Sequence, residues 1–141
     1  MKNLITIFIL FFFACIGSCT LDTSDNGDLD GNWQLMSIDS IENGNTADMK
    51  DYQIFYAVQF KLINVKAYNY SSSGNYYFHF EQTKDSLIMN ATQGDNGTEY
   101  KIDDLRKFGL NSENEKFSII TLTGDKMILE SSLLKLYFRK F

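Results

Sequence analysis

The chain of 141 residues contains no proline, one histidine and two cysteines. Both cysteines, Cys15 and Cys19, lie near the amino terminus, so the rest of the chain can form neither a disulfide nor a cysteine-based metal site. Because His79 stands alone, zinc sites that combine several histidines are also excluded. A lack of proline suits a β-sheet, because proline would remove a donor from the hydrogen-bond ladder. The folded domain must therefore be stabilised mainly by an apolar core.

Basic residues are fewer than acidic residues. The chain has 13 lysines and arginines against 18 aspartates and glutamates, which gives a formal charge of −5 at pH 7. Nucleic-acid-binding proteins usually carry a basic patch, and electrostatic adhesion to anionic lipids needs clusters of lysine and arginine. The composition therefore argues against a nucleic-acid partner and against membrane adhesion through charge alone.

Long apolar runs are also rare, and the exception lies at the start of the chain. Lys2 supplies a positive charge, residues 4–13 form an apolar run, and Gly17 and Ser18 are small. A helix that crosses a membrane needs about 20 apolar residues, so this run is too short. The pattern predicts instead a secretory signal peptide, residues 1–18, that is removed.

The tetrapeptide Ile16-Gly17-Ser18-Cys19 resembles the lipobox of bacterial lipoproteins. The resemblance implies that Cys19 carries acyl chains such as palmitate and anchors the protein in a membrane. Thr20 rather than aspartate follows the cysteine, which by resemblance to Gram-negative lipoproteins implies the outer membrane, at its periplasmic face or at the cell surface. Residues 19–30 would then form an acidic tether. A plain signal peptide with an incidental cysteine is the alternative interpretation.

Beyond residue 30, apolar residues recur with a period of two, which is typical of β-strands. One long strand is predicted from Ile54 to Val65, with Ile54, Tyr56, Val58, Phe60 and Leu62 on one face. The other predicted strands are Gly31–Ser40, Tyr76–Glu81, Leu87–Ala91, Phe117–Leu122, Met127–Glu130 and Leu134–Lys140, with Thr98–Lys101 as a doubtful addition. Because short turns join most of these segments, they are expected to form an antiparallel up-and-down meander.

One segment departs from this pattern. Residues 102–110 are predicted to form a short helix, with Asp103 as its cap and Gly109 at its end, and one helical turn is expected at Ala47–Lys50. The sequence therefore predicts an all-β domain, residues 31–141, with one short helix. Its seven or eight strands are expected to form a barrel or a strongly curled sheet.

The tripeptide Gly31-Asn32-Trp33 resembles the opening motif of lipocalins. In that family the tryptophan plugs the closed end of the barrel, and a basic residue near the last strand packs over it. The resemblance implies that Trp33 and Arg139 form this pair, through a contact of the cation–π kind. The chain resembles small bacterial lipoproteins with a lipocalin-like domain.

No catalytic, metal or cofactor site is predicted. His79 has no nucleophile with an orienting partner beside it in the pattern, so an enzyme is not expected. The segment Asn26–Gly31 has the oxygen-rich spacing of a partial calcium loop, but its twelfth position is Ser37 rather than glutamate. The acidic pair Asp103-Asp104 is expected to serve helix capping and solubility.

Two functions remain open. In the first, the domain binds a small apolar or aromatic ligand, or a glycan, in a barrel mouth lined by Tyr56, Phe78 and Tyr137. The polar segments 40–52 and 93–98 would form the rim of that mouth. In the second, the barrel is filled and the protein is a non-enzymatic accessory lipoprotein that docks to an envelope protein complex.

The predicted inward faces bear on this choice, because large side chains there would fill the barrel. They carry Trp33, Leu35, Phe60, Phe80, Met89, Phe117, Ile119, Leu129, Leu136 and Phe138. The eight tyrosines, in contrast, supply rings with polar tips that suit ligand recognition. The resemblance favours the binding module.

Overall fold

The computed structural model describes residues 23–70, 74–92 and 100–141. These residues form nine antiparallel strands and one short α-helix. The strands are β1 (Gly31–Ser40), β2 (Thr46–Asp48), β3 (Ile54–Gln59), β4 (Leu62–Ala67), β5 (Asn75–Gln82), β6 (Ser86–Ala91), β7 (Asn114–Leu122), β8 (Lys126–Glu130) and β9 (Leu134–Lys140). The helix is α1 (Ile102–Arg106), and 3₁₀ turns occupy Gly27–Leu29 and Lys50–Tyr52. The predicted all-β architecture is confirmed.

The sheet closes on itself because β1 pairs with both β3 and β9. The β1–β9 register runs from Trp33 opposite Lys140 to Ser40 opposite Leu134, with an irregularity between Leu35 and Ser37. The short strand β2 adds to the second half of β1 outside this ring. The fold is therefore an eight-strand barrel with one extra strand, and the barrel rather than the curled sheet is the correct alternative.

The barrel has two different ends. The Trp33 end, where β1 begins, is formed by residues 24–30 and by the short turns at 60–61, 83–85 and 123–125. The α1 end carries the longer connections between β1 and β3, β4 and β5, and β6 and β7, the last of which contains α1. Most of the irregular structure therefore lies at the α1 end.

The predicted strand from Ile54 to Val65 is two strands joined by a tight turn. Gln59 pairs with Leu62, so Phe60 and Lys61 form the turn of the β3–β4 hairpin. Phe60 has a φ of 54° and is 46% exposed, which is the opposite of the inward position expected for it. The apolar alternation continues through the turn without a glycine or asparagine, and turns are usually recognised by such residues.

Inward side chains fill the barrel. The largest fully buried ones include Trp33, Tyr56, Phe78, Phe117 and Met89. Each large apolar side chain that is fully buried contributes about 1.5–3 kcal/mol to the free energy of unfolding. Leu62, predicted on the same face as Ile54, is also exposed, at 40%. Apart from Phe60 and Leu62, the residues predicted to point inward are buried or pack against the core.

Helix α1 is shorter than predicted and begins differently. Its N-cap is Lys101, which makes no side-chain capping bond, so Asp103 lies in the first turn rather than at the cap. Leu105 and Phe108 are buried against the end of the barrel, and Gly109 ends the turn with a φ of 85°. The helical turn predicted at 47–50 is instead the end of β2 followed by a 3₁₀ turn.

Part of the predicted acidic tether is folded against the Trp33 end. Asn26 donates its backbone N–H to Asp30 (2.8 Å) and its side-chain amide to the carbonyl of Phe60. Burial would raise the pKa of Asp30, but hydrogen bonds from Ser24 and Asn26 outweigh it and hold that pKa below its usual range. Residues 24–30 therefore close the barrel, whereas residues 19–22 of the predicted tether lie outside the described residues.

Candidate ligand-binding site

Five aromatic side chains meet at the α1 end of the barrel and are called here the tyrosine cluster. They are Tyr52, Tyr70, Tyr76, Tyr100 and Phe108. Tyr76 comes from the first residues of β5, whereas the others lie in the connections at this end. Since β-strand side chains alternate in direction, Tyr76 shares the inward face of β5 with Phe78 and Phe80. The barrel wall and the irregular connections thus build the cluster together.

Close ring contacts connect the members of the tyrosine cluster. Tyr52 and Tyr70 are stacked, with ring centroids 4.5 Å apart and an interplanar angle of 15°. The ring centroid of Tyr76 lies 5.2 Å from that of Phe108 and 5.1 Å from that of Tyr100. The Tyr76–Tyr100 pair meets edge to face. Such pairs are each worth about 0.5–1.5 kcal/mol beyond the area that they bury. The cluster is thus held in a defined arrangement.

Hydrogen bonds fix the base of the tyrosine cluster. The hydroxyl of Tyr100 accepts the backbone N–H of Tyr77 (3.0 Å) and lies 3.2 Å from the carbonyl of the same residue, to which it donates. Below the cluster, the buried hydroxyl of Tyr56 donates to the carbonyl of Phe108 (2.6 Å). Burial raises the pKa of Tyr56, so this hydroxyl remains a donor at neutral pH. The segment after α1 is therefore tied to the barrel wall.

A partly buried ion pair borders the tyrosine cluster. Lys107 Nζ lies 3.0 Å from Asp104 Oδ1, and this hydrogen bond raises the pKa of Lys107. Burial raises the pKa of Tyr70 and Tyr76, and the charge of Asp104 adds to the effect at Tyr76. Both tyrosine hydroxyls are therefore neutral at physiological pH and can donate or accept hydrogen bonds. Asp104 thus pairs with a lysine beside aromatic rings, in addition to lying in the first turn of the helix.

Two further buried polar groups lie at the same end. Glu115, which is 7% exposed, accepts the backbone N–H of Asn111 (2.7 Å). Within the described part of the chain, the buried Nδ2 atom of Asn111 has no hydrogen-bond partner. Buried donors are nearly always paired in folded proteins. An unpaired amide close to a carboxylate is therefore a group that a ligand or a water molecule can satisfy.

The structure does not bring the three predicted mouth residues together in one pocket. Tyr56 and Phe78 are 1% and 0% exposed, so they lie beneath the tyrosine cluster and not in an open mouth. Tyr137 lies between the inward residues Leu136 and Phe138, and it faces Asp39 on the outside of the barrel. The prediction that Tyr137 lines the pocket was therefore wrong, and Tyr56 and Phe78 lie deeper than the predicted mouth. Of the predicted rim, Tyr52 belongs to the cluster, and 93–98 lies outside the described residues.

The basic residue over Trp33 is Lys140, not Arg139. Lys140 Nζ lies 4.7 Å from the centroid of the Trp33 ring, and the indole N–H donates to the carbonyl of Leu29 (2.8 Å). Arg139 points outward, because adjacent residues of a strand face opposite sides. Gly31 fits beneath the Lys140 side chain, where a Cβ atom would lie 3.1 Å from Lys140 Cε. The predicted partner of Trp33 was therefore wrong by one residue. Because adjacent residues of a strand face opposite sides, that residue lies on the other face of the sheet.

The single histidine of the chain lies outside the barrel interior. His79 is exposed on the outer face of β5. In residues 23–70, 74–92 and 100–141, no three histidine, cysteine or acidic side chains are grouped so that they could hold a metal ion. No helix in these residues is long and apolar enough to cross a membrane.

Sequence reasoning missed most of the tyrosine cluster. Tyr70, Tyr100 and Phe108 lie in irregular connections, where no periodicity shows which way a side chain points. The abundance of tyrosine was the available signal, but it did not identify which tyrosines meet. Phe80 was correctly predicted to point inward, and Tyr76 shares that face of β5.

Comparison with known proteins gives the family. The family model described as a lipocalin-like domain matches residues 12–141. A lipocalin-like protein from Bacteroides uniformis superposes with a TM-score of 0.66 at 20% identity, covering 82% of this chain and 100% of that one. An uncharacterised protein from Bacteroides eggerthii gives 0.64 at 23% identity, covering 79% and 98%. No curated protein matches the sequence significantly. Because the family model covers nearly all of the chain and the barrel closes through β1 and β9, the chain belongs to the family of lipocalin-like domains.

Proposed function

We propose that this protein is a non-enzymatic binding protein that holds a small ligand at the α1 end of its barrel. The observation that carries the proposal is the tyrosine cluster, in which rings with neutral hydroxyls lie beside the Asp104–Lys107 ion pair. Lipocalin-like proteins are generally binding proteins and not enzymes, which agrees with this function.

The chemistry of the cluster indicates the class of ligand. Tyr52 is 39% exposed, and Tyr70 and Tyr76 are half-buried, so parts of their rings remain accessible. Each tyrosine offers an apolar face and a polar tip, and Asp104 and Lys107 add an acceptor and a donor. A sugar ring or a small hydroxylated aromatic molecule has the complementary pattern of flat apolar faces and polar edges.

The packed interior favours a site at the end of the barrel over one deep inside it. The buried core extends from Trp33 through Tyr56 and Phe78 to Phe108, whose side chains are 0–1% exposed. The same observation favours a second candidate function, an accessory protein with a filled barrel that docks to an envelope protein complex. Without a ligand at the tyrosine cluster, that candidate becomes the preferred one.

Membrane anchoring through Cys19 is part of the proposed function. It is supported by the resemblance of residues 16–19 to a lipobox and by the short length of chain between Cys19 and the folded domain. Four residue steps separate Cys19 from Thr23, and an extended chain spans at most about 3.6 Å per residue, or about 14 Å in all. Residues 24–30 pack at the Trp33 end, so that end would face the lipid surface. The tyrosine cluster would then face away from the membrane, where soluble ligands are accessible.

Native mass spectrometry of the full chain, purified from its own envelope in a mild detergent, tests the binding function. We expect a reproducible extra mass that is lost on denaturation. The extra mass should decrease strongly in Tyr76→Leu and persist in Tyr77→Leu. These two adjacent positions make a matched pair, because Tyr76 faces the cluster and Tyr77 the outside of β5.

Circular dichroism of both variants must show the same β-sheet content as the unmodified chain. An unmodified chain that carries no adduct and gains none from envelope extract would contradict the binding function. So would an adduct that is equally abundant in both variants.

A further inference from the structure

A second candidate site lies on the outside of the barrel, far from the interior. A groove of about 350 Å³ is lined by Gln34, Gln53, Phe55, Tyr68, Arg139 and Phe141. It is called here the Arg139 groove. Its volume lies at the lower end of the range for small-molecule sites.

The guanidinium of Arg139 is held in a fixed orientation. Its Nε and Nη2 atoms both donate to Gln34 Oε1, at 3.0 and 2.8 Å. Gln34 is 6% exposed, and its own amide nitrogen lies 3.5 Å from the carbonyl of Lys50. A guanidinium has five N–H donors in a planar fork. The edge with Nε is therefore occupied, whereas the edge formed by Nη1 and Nη2 is left for another acceptor.

Two lysines share a row of the sheet with Arg139. The strand register places Lys126, Arg139, Gln34, Phe55 and Lys66 in one row across β8, β9, β1, β3 and β4. In the part of the chain that the structure describes, no carboxylate forms an ion pair with any of the three cations in this row. This is notable in a chain with a net charge of −5. An arginine that is oriented by a neutral amide, with no acidic partner among the described residues, is available to an anion.

Aromatic rings form the wall of the groove beside Arg139. Phe55 meets Phe141 edge to face at 5.1 Å and Tyr68 edge to face at 5.7 Å. Phe141 and Tyr68 are 74% and 61% exposed, so their faces are accessible to a ligand. Lys66 Nζ lies 4.7 Å from the centroid of the Tyr68 ring. The wall therefore offers room for one further ring next to the free edge of the guanidinium.

We infer that the Arg139 groove binds a small aromatic carboxylate. The planar carboxylate accepts two parallel hydrogen bonds from Nη1 and Nη2 of Arg139, which is the geometry that arginine prefers. The aromatic ring of the ligand packs against Phe55 and Phe141. This site is separate from the tyrosine cluster, so it neither supports nor depends on the function proposed for that cluster.

Fluorine NMR with 4-fluorobenzoate as the probe and the full chain as the protein tests this inference. We expect saturable binding, and 4-fluorobenzamide, which has the same shape without the charge, should bind at least about tenfold more weakly. Arg139→Gln should weaken the binding of 4-fluorobenzoate by about tenfold or more. Arg139→Lys should restore only part of the affinity, because lysine keeps the charge but lacks the fork.

Lys84→Gln provides the matched control, since it removes one positive charge from an exposed turn at the Trp33 end. This variant should bind 4-fluorobenzoate as the unmodified chain does. The inference is overturned if the probe does not saturate, if the amide binds equally well, or if Arg139→Gln leaves the affinity unchanged while the variant remains folded.

Discussion

The ammonium group of Lys140 lies 4.7 Å from the centroid of the Trp33 ring and donates a hydrogen bond to the carbonyl of Asp28 (3.0 Å). One side chain thus joins the last strand to the tryptophan that plugs the barrel and to the segment that precedes β1. The barrel closes at this seam, because Trp33 and Lys140 are also paired across β1 and β9.

Removal of this contact should destabilise the protein. We expect Lys140→Met to lower the free energy of unfolding by about 1–2 kcal/mol, because it removes a cation–π contact and a hydrogen bond. Urea denaturation followed by tryptophan fluorescence measures the effect at Trp33 itself. Lys116→Met is the control, because Lys116 is exposed on the outer face of β7, and this variant should cost less. An equal loss in both variants would contradict the assignment of Lys140 as the functional partner of Trp33.

The buried hydroxyl of Tyr56 leads to a prediction about alkaline pH. Burial raises the pKa of Tyr56 above its ordinary value of 10.0. Because this pKa is higher in the folded state than in the unfolded state, the neutral hydroxyl stabilises the folded protein fully below pH 10. The stabilisation is lost as the pH rises further. We therefore expect Tyr56→Phe to be less stable than the unmodified chain at pH 7 by about 1–3 kcal/mol, because the Phe108 carbonyl loses its donor.

The difference in the free energy of unfolding between Tyr56→Phe and the unmodified chain should narrow above about pH 10. The unmodified chain loses stability there because Tyr56 ionises in its unfolded state, whereas the variant has one fewer tyrosine to ionise. Chemical denaturation of both proteins at a series of pH values from 7 to about 11 measures this difference. Tyr137→Phe is the control from the outer face, and it should show a smaller loss at pH 7. A constant gap across this range would show that the ionisation of Tyr56 is not linked to unfolding.

The strand pattern was predictable because inward and outward positions alternate along most of the sheet. The bounds of β1 and β9 were correct, as were the inward faces of β5 and β6. The turn at Phe60-Lys61 was not predictable, because an apolar residue occupies a position with positive φ and hides the turn. Closure of the barrel depends on pairing between the first and last long strands, and local patterns cannot show a contact of that range.

The sites were less predictable than the fold, for two physical reasons. At Trp33, a basic residue near the end of the chain was the correct type of partner, but one step along a strand moves the side chain to the other face. Arg139 was therefore chosen in place of Lys140. At the α1 end, the tyrosine cluster depends on how long connections fold back, and no period governs their side chains.

The proposed anchoring through Cys19 predicts where the protein is found in the cell. The unmodified chain should fractionate with membranes, whereas Cys19→Ala should be soluble or should accumulate as a precursor of higher mass. Cys15→Ala is the matched control and should leave both mass and fractionation unchanged, because Phe13 occupies one of the two positions before Cys15 where small residues are required. Membrane fractionation of Cys19→Ala that equals the unmodified chain would contradict lipidation at this residue.

Gly109 determines how the segment after α1 enters the end of the barrel, and its replacement should be costly for two separable reasons. Its φ of 85° strains any residue that carries a Cβ atom, and that atom would lie 2.7 Å from Leu136 Cδ2. We expect Gly109→Ala to lower the free energy of unfolding by about 2–4 kcal/mol, since backbone strain and overpacking each cost about 1–3 kcal/mol. Gly44→Ala is the matched control, because Gly44 has a φ of 70° but nothing within 4 Å of the added atom. Urea denaturation should therefore give a smaller loss for Gly44→Ala, and the difference between the two variants measures the packing of the α1 end against β9. Equal losses would mean that the segment after α1 does not pack tightly on Leu136.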